Sequence, residues 1–120
     1  MTAAAQQRSA QTIPSRSLAD LCREAAAKLE RARREQPARL SEDVDEAERA
    51  VAQLRDELID RLRSERAPDR SARTRAALNS VNAALSLIVG VEYPAAGIQR
   101  SALAQARDTL RQVLEEGSLG

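Results

Sequence analysis

The 120-residue chain has no histidine, no tryptophan and no phenylalanine, and only one cysteine, one tyrosine and four glycines. Each absence excludes something. Without histidine there is no imidazole for a general base, for a Ser-His or Cys-His nucleophile pair, or for a metal ligand. A single thiol, Cys22, forms neither an internal disulfide nor a thiolate-rich zinc site. With Tyr93 as the only aromatic ring, stacking platforms for single-stranded nucleic acid are missing, and partner contacts have to rest on aliphatic packing and arginine. Glycine-rich phosphate loops and Gly-x-Ser-x-Gly turns do not occur. The pattern therefore predicts no catalytic residue, no metal site and no cofactor, and it indicates no small-molecule substrate.

Net charge is equally uninformative as a whole, with 19 basic against 18 acidic side chains. No global field drives such a chain onto nucleic acid or an anionic membrane. The longest near-apolar run, Leu85 to Val91, is far shorter than the roughly 20 residues needed to span a bilayer. The expectation is a cytoplasmic protein with no membrane association, and at this length a single domain is the default.

What is present is helical periodicity. Residues 1–14 carry no sustained apolar period and read as a disordered tail; residues 15–117 read as one bundle domain and residues 118–120 as a C-terminal tail. In the first helix Leu18, Leu21, Cys22, Ala25, Leu29 and Ala32 share one stripe, with Ser17 and Asp20 as a capping pair and Pro37 beyond its end. Cys22 on that stripe reads as a small buried hydrophobe, and Lys28, the only lysine, reads as a solvated charge. The second helix takes Ser41 as N-cap and packs a 3-4 seam of Val44, Ala47, Val51, Leu54 and Leu58. Asp45 with Arg49 and Glu57 with Arg61 are spaced for i,i+4 ion pairs, and Pro68 is expected to stop this helix. Glu42, Asp45 and Glu46 near its start are the carboxylates an enzyme would have to use, but capping and the helix dipole already account for them.

The third helix is expected from about Asp69 or Ser71 to Glu92, ahead of Pro94, and its apolar arc from Leu78 to Val91 marks it as the centre of the fold. A fourth helix from about Ile98 to Glu116 carries Ala102, Leu103, Ala106, Leu110, Val113 and Leu114 on one face and ends at Gly117. Short connections make sequential helices antiparallel neighbours. The predicted fold is all-α, an up-down-up-down four-helix bundle; a three-helix core with a loosely docked N-terminal helix is the alternative.

Two surfaces stand out. Residues 41–60 hold eight acidic against two basic side chains, whereas residues 61–75 hold six arginines against two acids. Arg61, Arg63, Arg66, Arg70, Arg73 and Arg75 therefore gather around the turn between helices two and three, where guanidinium groups can bind an anionic partner or simply pair with Glu65 and Asp69. The second surface lies in the sixteen uncharged residues from Ala76 to Val91. There Asn79, Asn82, Ser86, Gly90 and Tyr93 form a neutral, mostly small arc suited to a helix–helix interface, or to packing against the first helix. Gly90 also costs helix stability, which close packing or an irregular helix exit would explain. The functional expectation is a non-enzymatic helical interaction module, a small subunit, adaptor or chaperone-like protein, acting through a protein partner or self-association. The alternative is a nucleic-acid-associated helical protein that contacts phosphates through the arginine turn.

Overall fold

A computed structural model of the chain describes residues 17–34, 40–89, 96–117 and 119. Four helices make up nearly all of them: α1 (Leu18–Arg34), α2 (Leu40–Ser64), α3 (Pro68–Val89) and α4 (Ala96–Glu116). Each packs against two others in a ring, α1 on α2 and α4, and α3 on α2 and α4, with no contact across either diagonal among the described residues. The architecture is a four-helix bundle.

Local chemistry sets the helix limits. Ser17 Oγ accepts the Asp20 amide at 3.0 Å, so the serine caps α1 as its spacing predicts. α2 begins at Leu40, which puts Ser41 inside the first turn and not at the cap. Pro68 does not merely stop α2, which has already ended at Ser64; it opens α3. A proline at the first helical position lacks only an amide that has no partner there anyway, and its fixed φ suits the helix. The Ser71 amide bonds the Ala67 carbonyl at 2.9 Å, closing the first turn of α3. α4 starts two residues earlier than its pattern predicts and ends on Gly117, at φ 73°, with the glycine amide on the Leu114 carbonyl at 3.1 Å. That bond, with a left-handed glycine, is one of the two that define a Schellman cap. Leu119 then turns back into the core, 4% exposed, so the C-terminal residues assigned to a tail include a core side chain.

The core is aliphatic throughout. The α2 seam of Val44, Ala47, Val51, Leu54 and Leu58 is buried as predicted, and Leu103, Ala106, Leu110 and Val113 of α4 are buried in the same core. Each fully buried leucine contributes on the order of 1.5–3 kcal/mol. α1 buries Leu18, Leu21, Cys22, Ala25, Ala26, Leu29 and Ala32, so it is an integral wall of the bundle and not a loosely docked helix. Its small side chains allow close approach to its neighbours. Burial pushes the Cys22 thiol up to about 11, and its sulfur lies 3.4 Å from the Leu110 carbonyl as a weak donor.

The expectation for α3 fails. Among the described residues it buries only Thr74, Ala77, Val81, Ala84 and Ile88 and makes no contact with α1. Its surplus of apolar residues lies on the flanks, where Leu78, Leu85 and Leu87 are half-buried against the core, and Val89 is 55% exposed. A helix in a ring has only two neighbours to cover it, so an apolar arc twice the usual width leaves part of itself outside.

Ion pairs hold α1 to both its neighbours. Lys28 Nζ reaches Glu46 of α2 at 2.8 Å and is half-buried, not solvated as its charged surroundings suggest. Arg31 shares the same carboxylate at 3.4 Å. Glu30 accepts from Arg33 at 2.8 Å, from Arg34 at 2.6 Å and, across the α1–α4 seam, from Arg107, which also pairs with Asp108 at 2.9 Å. The Arg33, Arg107 and Arg34 hydrogen bonds hold the Glu30 carboxyl well below the usual carboxylate range. These contacts join the C-terminal half of α1 to the start of α2 through Glu46 and to α4 through Arg107.

Candidate functional site

Two regions of α3 carry the sequence-derived candidates. The first is the α2–α3 turn. The last turn of α2 is closed by Ser64, whose hydroxyl donates to the carbonyls of Arg61 at 3.1 Å and Asp60 at 3.3 Å. After a gap of three residues Pro68 starts α3, and the end of α4 lies alongside at Gly117. Between these three helix ends is a cleft of about 560 Å³. α2 and the turn contribute Arg61, Ser64 and Glu65 to its lining; α3 contributes Arg70, Arg73 and Thr74.

The six predicted arginines are therefore divided. Arg61, Arg70 and Arg73 converge on the cleft, while Arg63, Arg66 and Arg75 are exposed elsewhere around the turn. The expected pairing with Glu65 and Asp69 does not form. Of these six arginines only Arg63 has an ion pair among the described residues, a long one of 3.9 Å to Asp60, and Arg61 donates to the Leu119 carbonyl at 3.4 Å. Arg61 is thus not paired with Glu57, nor Arg49 with Asp45; Glu46 takes the α1 cations instead.

Thr74 is the member that sequence reasoning passed over. It sits in the 3-4 register of Ala77, Val81, Ala84 and Ile88, is 3% exposed, and is the only polar or charged residue buried among the described residues. Its hydroxyl forms no hydrogen bond among those residues, unlike that of Thr109, which bonds the Gln105 carbonyl at 2.9 Å. A threonine in an otherwise apolar stripe was the available signal.

The second region is the outer face of α3. Asn79, Asn82 and Ser86 are exposed, so they do not pack against α1 inside the bundle. Gly90 and Tyr93 lie outside the described residues. With Ala72, Ala76, Ala83 and Val89, also exposed, the three polar residues form a stripe at three- and four-residue spacing along the helix, opposite the buried one. No charged side chain lies on it from residue 76 to residue 89. The exposed faces of the other three helices are charged: Asp20, Arg23 and Arg31 on α1, Asp45, Arg49 and Asp56 on α2, Asp108, Arg111 and Glu115 on α4.

Among the described residues no group of three acidic or cysteine side chains is placed to hold a metal ion, and no helix is long and apolar enough to cross a membrane. The chain matches no family model, no curated protein and no solved structure.

Proposed function

We propose that this chain is a non-enzymatic helical interaction module whose contact surface is the outer face of α3. The observation that carries the reading is the exposed, uncharged stripe of small residues through Ala76, Asn79, Asn82, Ala83 and Ser86, continued by the exposed Val89. A solvated helix face gains nothing from lacking charge, whereas a helix–helix contact gains twice. Small side chains let two backbones approach closely, and asparagine hydrogen-bonds across the contact and fixes its register.

Size sets the expected strength. A 22-residue helix is about 33 Å long, and one helix face of that length buries an area near the lower limit for specific interfaces, about 1,200 Å². Association through it is micromolar and reversible, as befits an adaptor or a small subunit that exchanges partners. A second copy of the chain is the simplest complementary surface, because a two-fold axis brings the same stripe against itself.

The test is the native mass in solution at two protein concentrations, about 1 µM and about 100 µM, which bracket that affinity. Mass is expected to rise towards that of a dimer at the higher concentration, and Ala83→Glu is expected to return it to that of a monomer without lowering thermal stability. A strict monomer at both concentrations removes self-association. Contact with a different helical protein then has to be shown by loss of that contact in Ala83→Glu.

A further inference from the structure

The cleft between the ends of α2, α3 and α4 is independent of the α3 outer face, and it has the composition of a ligand site. We infer that it binds a phosphorylated small molecule, with Arg61, Arg70 and Arg73 on the phosphoryl oxygens and the Thr74 hydroxyl as a further hydrogen-bonding group in its lining. Four observations carry this.

First, three guanidinium groups face one carboxylate, Glu65, around a single concavity. The helix ends do not offset them: two C-termini and one N-terminus bring partial charges of about half an electron each, which leaves the full charges of the arginines dominant. The surplus matches a phosphate monoester, which carries close to two negative charges at neutral pH.

Second, the arginines are uncommitted. Arg70 and Arg73 have no ion pair among the described residues, and Arg61 makes only a 3.4 Å contact to a carbonyl. In the same chain Arg33, Arg34 and Arg107 are all bound to carboxylates, so pairing is what this sequence does with arginines that serve the fold. The bidentate geometry of guanidinium suits phosphoryl oxygens in particular.

Third, Thr74 is buried in the cleft lining with its hydroxyl unbonded. The Thr74 oxygen is not fully shut off from the cleft, so it is open to a ligand where valine would offer no hydrogen-bonding group. A bound oxygen atom supplies the missing partner.

Fourth, the volume of about 560 Å³ is that of a small-molecule site. It is a concave pocket at one end of the bundle. A nucleic-acid backbone needs an extended track of cations, and Arg63, Arg66 and Arg75 do not line the cleft.

The experiment uses the full chain and two probes, sodium pyrophosphate and inorganic phosphate, followed by titration calorimetry and thermal unfolding. Sodium chloride at matched ionic strength is the control. Saturable binding of one probe with a rise in unfolding temperature is expected. Arg70→Gln with Arg73→Gln should weaken it by about a hundredfold, two charge-assisted hydrogen bonds at about tenfold each. Thr74→Val should weaken it about fivefold while leaving the stability of the ligand-free protein nearly unchanged, an outcome that a purely structural threonine does not give. Arg111→Gln, on the exposed face of α4, should change nothing. Absence of saturable binding by either probe, or equal affinity in the double arginine variant, overturns the proposal. So does tight, steeply salt-dependent binding of a single-stranded oligonucleotide that pyrophosphate fails to displace, which would return the arginine turn to the nucleic-acid reading.

Discussion

α1 and α3 stand diagonally opposite in the bundle and treat charge in opposite ways. On α1 every charged side chain has a partner: Asp20 with Arg23, Lys28 and Arg31 with Glu46, Arg33 and Arg34 with Glu30, and Glu24 in a further contact. On α3 the charged residues are Asp69, Arg70, Arg73 and Arg75, and none is paired among the described residues. Past Arg75 the helix carries no charge at all on either side. The difference teaches where the fold spends its polar groups. α1 is fastened to its neighbours by ion pairs, whereas α3 is held by an apolar stripe alone and keeps its arginines and its neutral face outward.

The largest expected break in this contrast is Glu30→Ala. It leaves the mostly buried Arg107 with only Asp108 and frees Arg33 and Arg34, so unfolding stability in urea should fall by about 2–3 kcal/mol. A carboxylate whose pKa is lowered by folding contributes stability that is present above its unfolded value and lost as pH falls. The stability gap between the wild type and Glu30→Gln should therefore be constant above about pH 5 and narrow below the ordinary glutamate range of about 4.3, as urea midpoints from pH 7 to pH 3 would register. On the α3 side, Thr74→Val replaces an unbonded hydroxyl that lines the cleft and is not fully shut off from solvent, so stability should change by less than about 1 kcal/mol; a larger loss would mean that the hydroxyl is satisfied within the fold. The smallest effect concerns Cys22. Its raised pKa means that the protonated thiol is what folding favours, so stability is intact below the ordinary thiol range and declines as pH rises towards about 11. At neutral pH a thiol reagent should react with Cys22 only at the rate of unfolding.

Much of the bundle was legible in the sequence because its signals are local. The α2 seam, the Ser17 cap, the Gly117 terminus and the burial of Cys22 each follow from spacing within one or two turns. What was not legible depends on reach across the bundle. Glu30 and Arg107 are 77 residues apart, and nothing in either helix alone links them. Lys28 looked solvated because its partner is on another helix. Pro68 reads as a stop from the α2 side, yet it is a start from the α3 side, and only the three-residue gap after Ser64 distinguishes the two. α3 misled most. Hydrophobic content measures how much of a helix prefers burial, while the ring of contacts decides how much of it is covered. The same geometry explains the two candidate sites. The α3 outer face was recognisable as a neutral arc but not as exposed, and the arginine turn was recognisable as a cluster but not as a cleft. Thr74, Ser64 and Gly117 came to the cleft from three different elements.

The central claim, that arginines on the α1–α4 seam serve the fold and those at the α2–α3 turn do not, is tested most directly by urea unfolding of Arg107→Gln beside Arg73→Gln in one buffer at neutral pH. The account predicts a loss of about 2 kcal/mol for Arg107→Gln and a change within about 0.5 kcal/mol for Arg73→Gln, with the slope against urea unchanged in both. Equal losses in the two variants would contradict it.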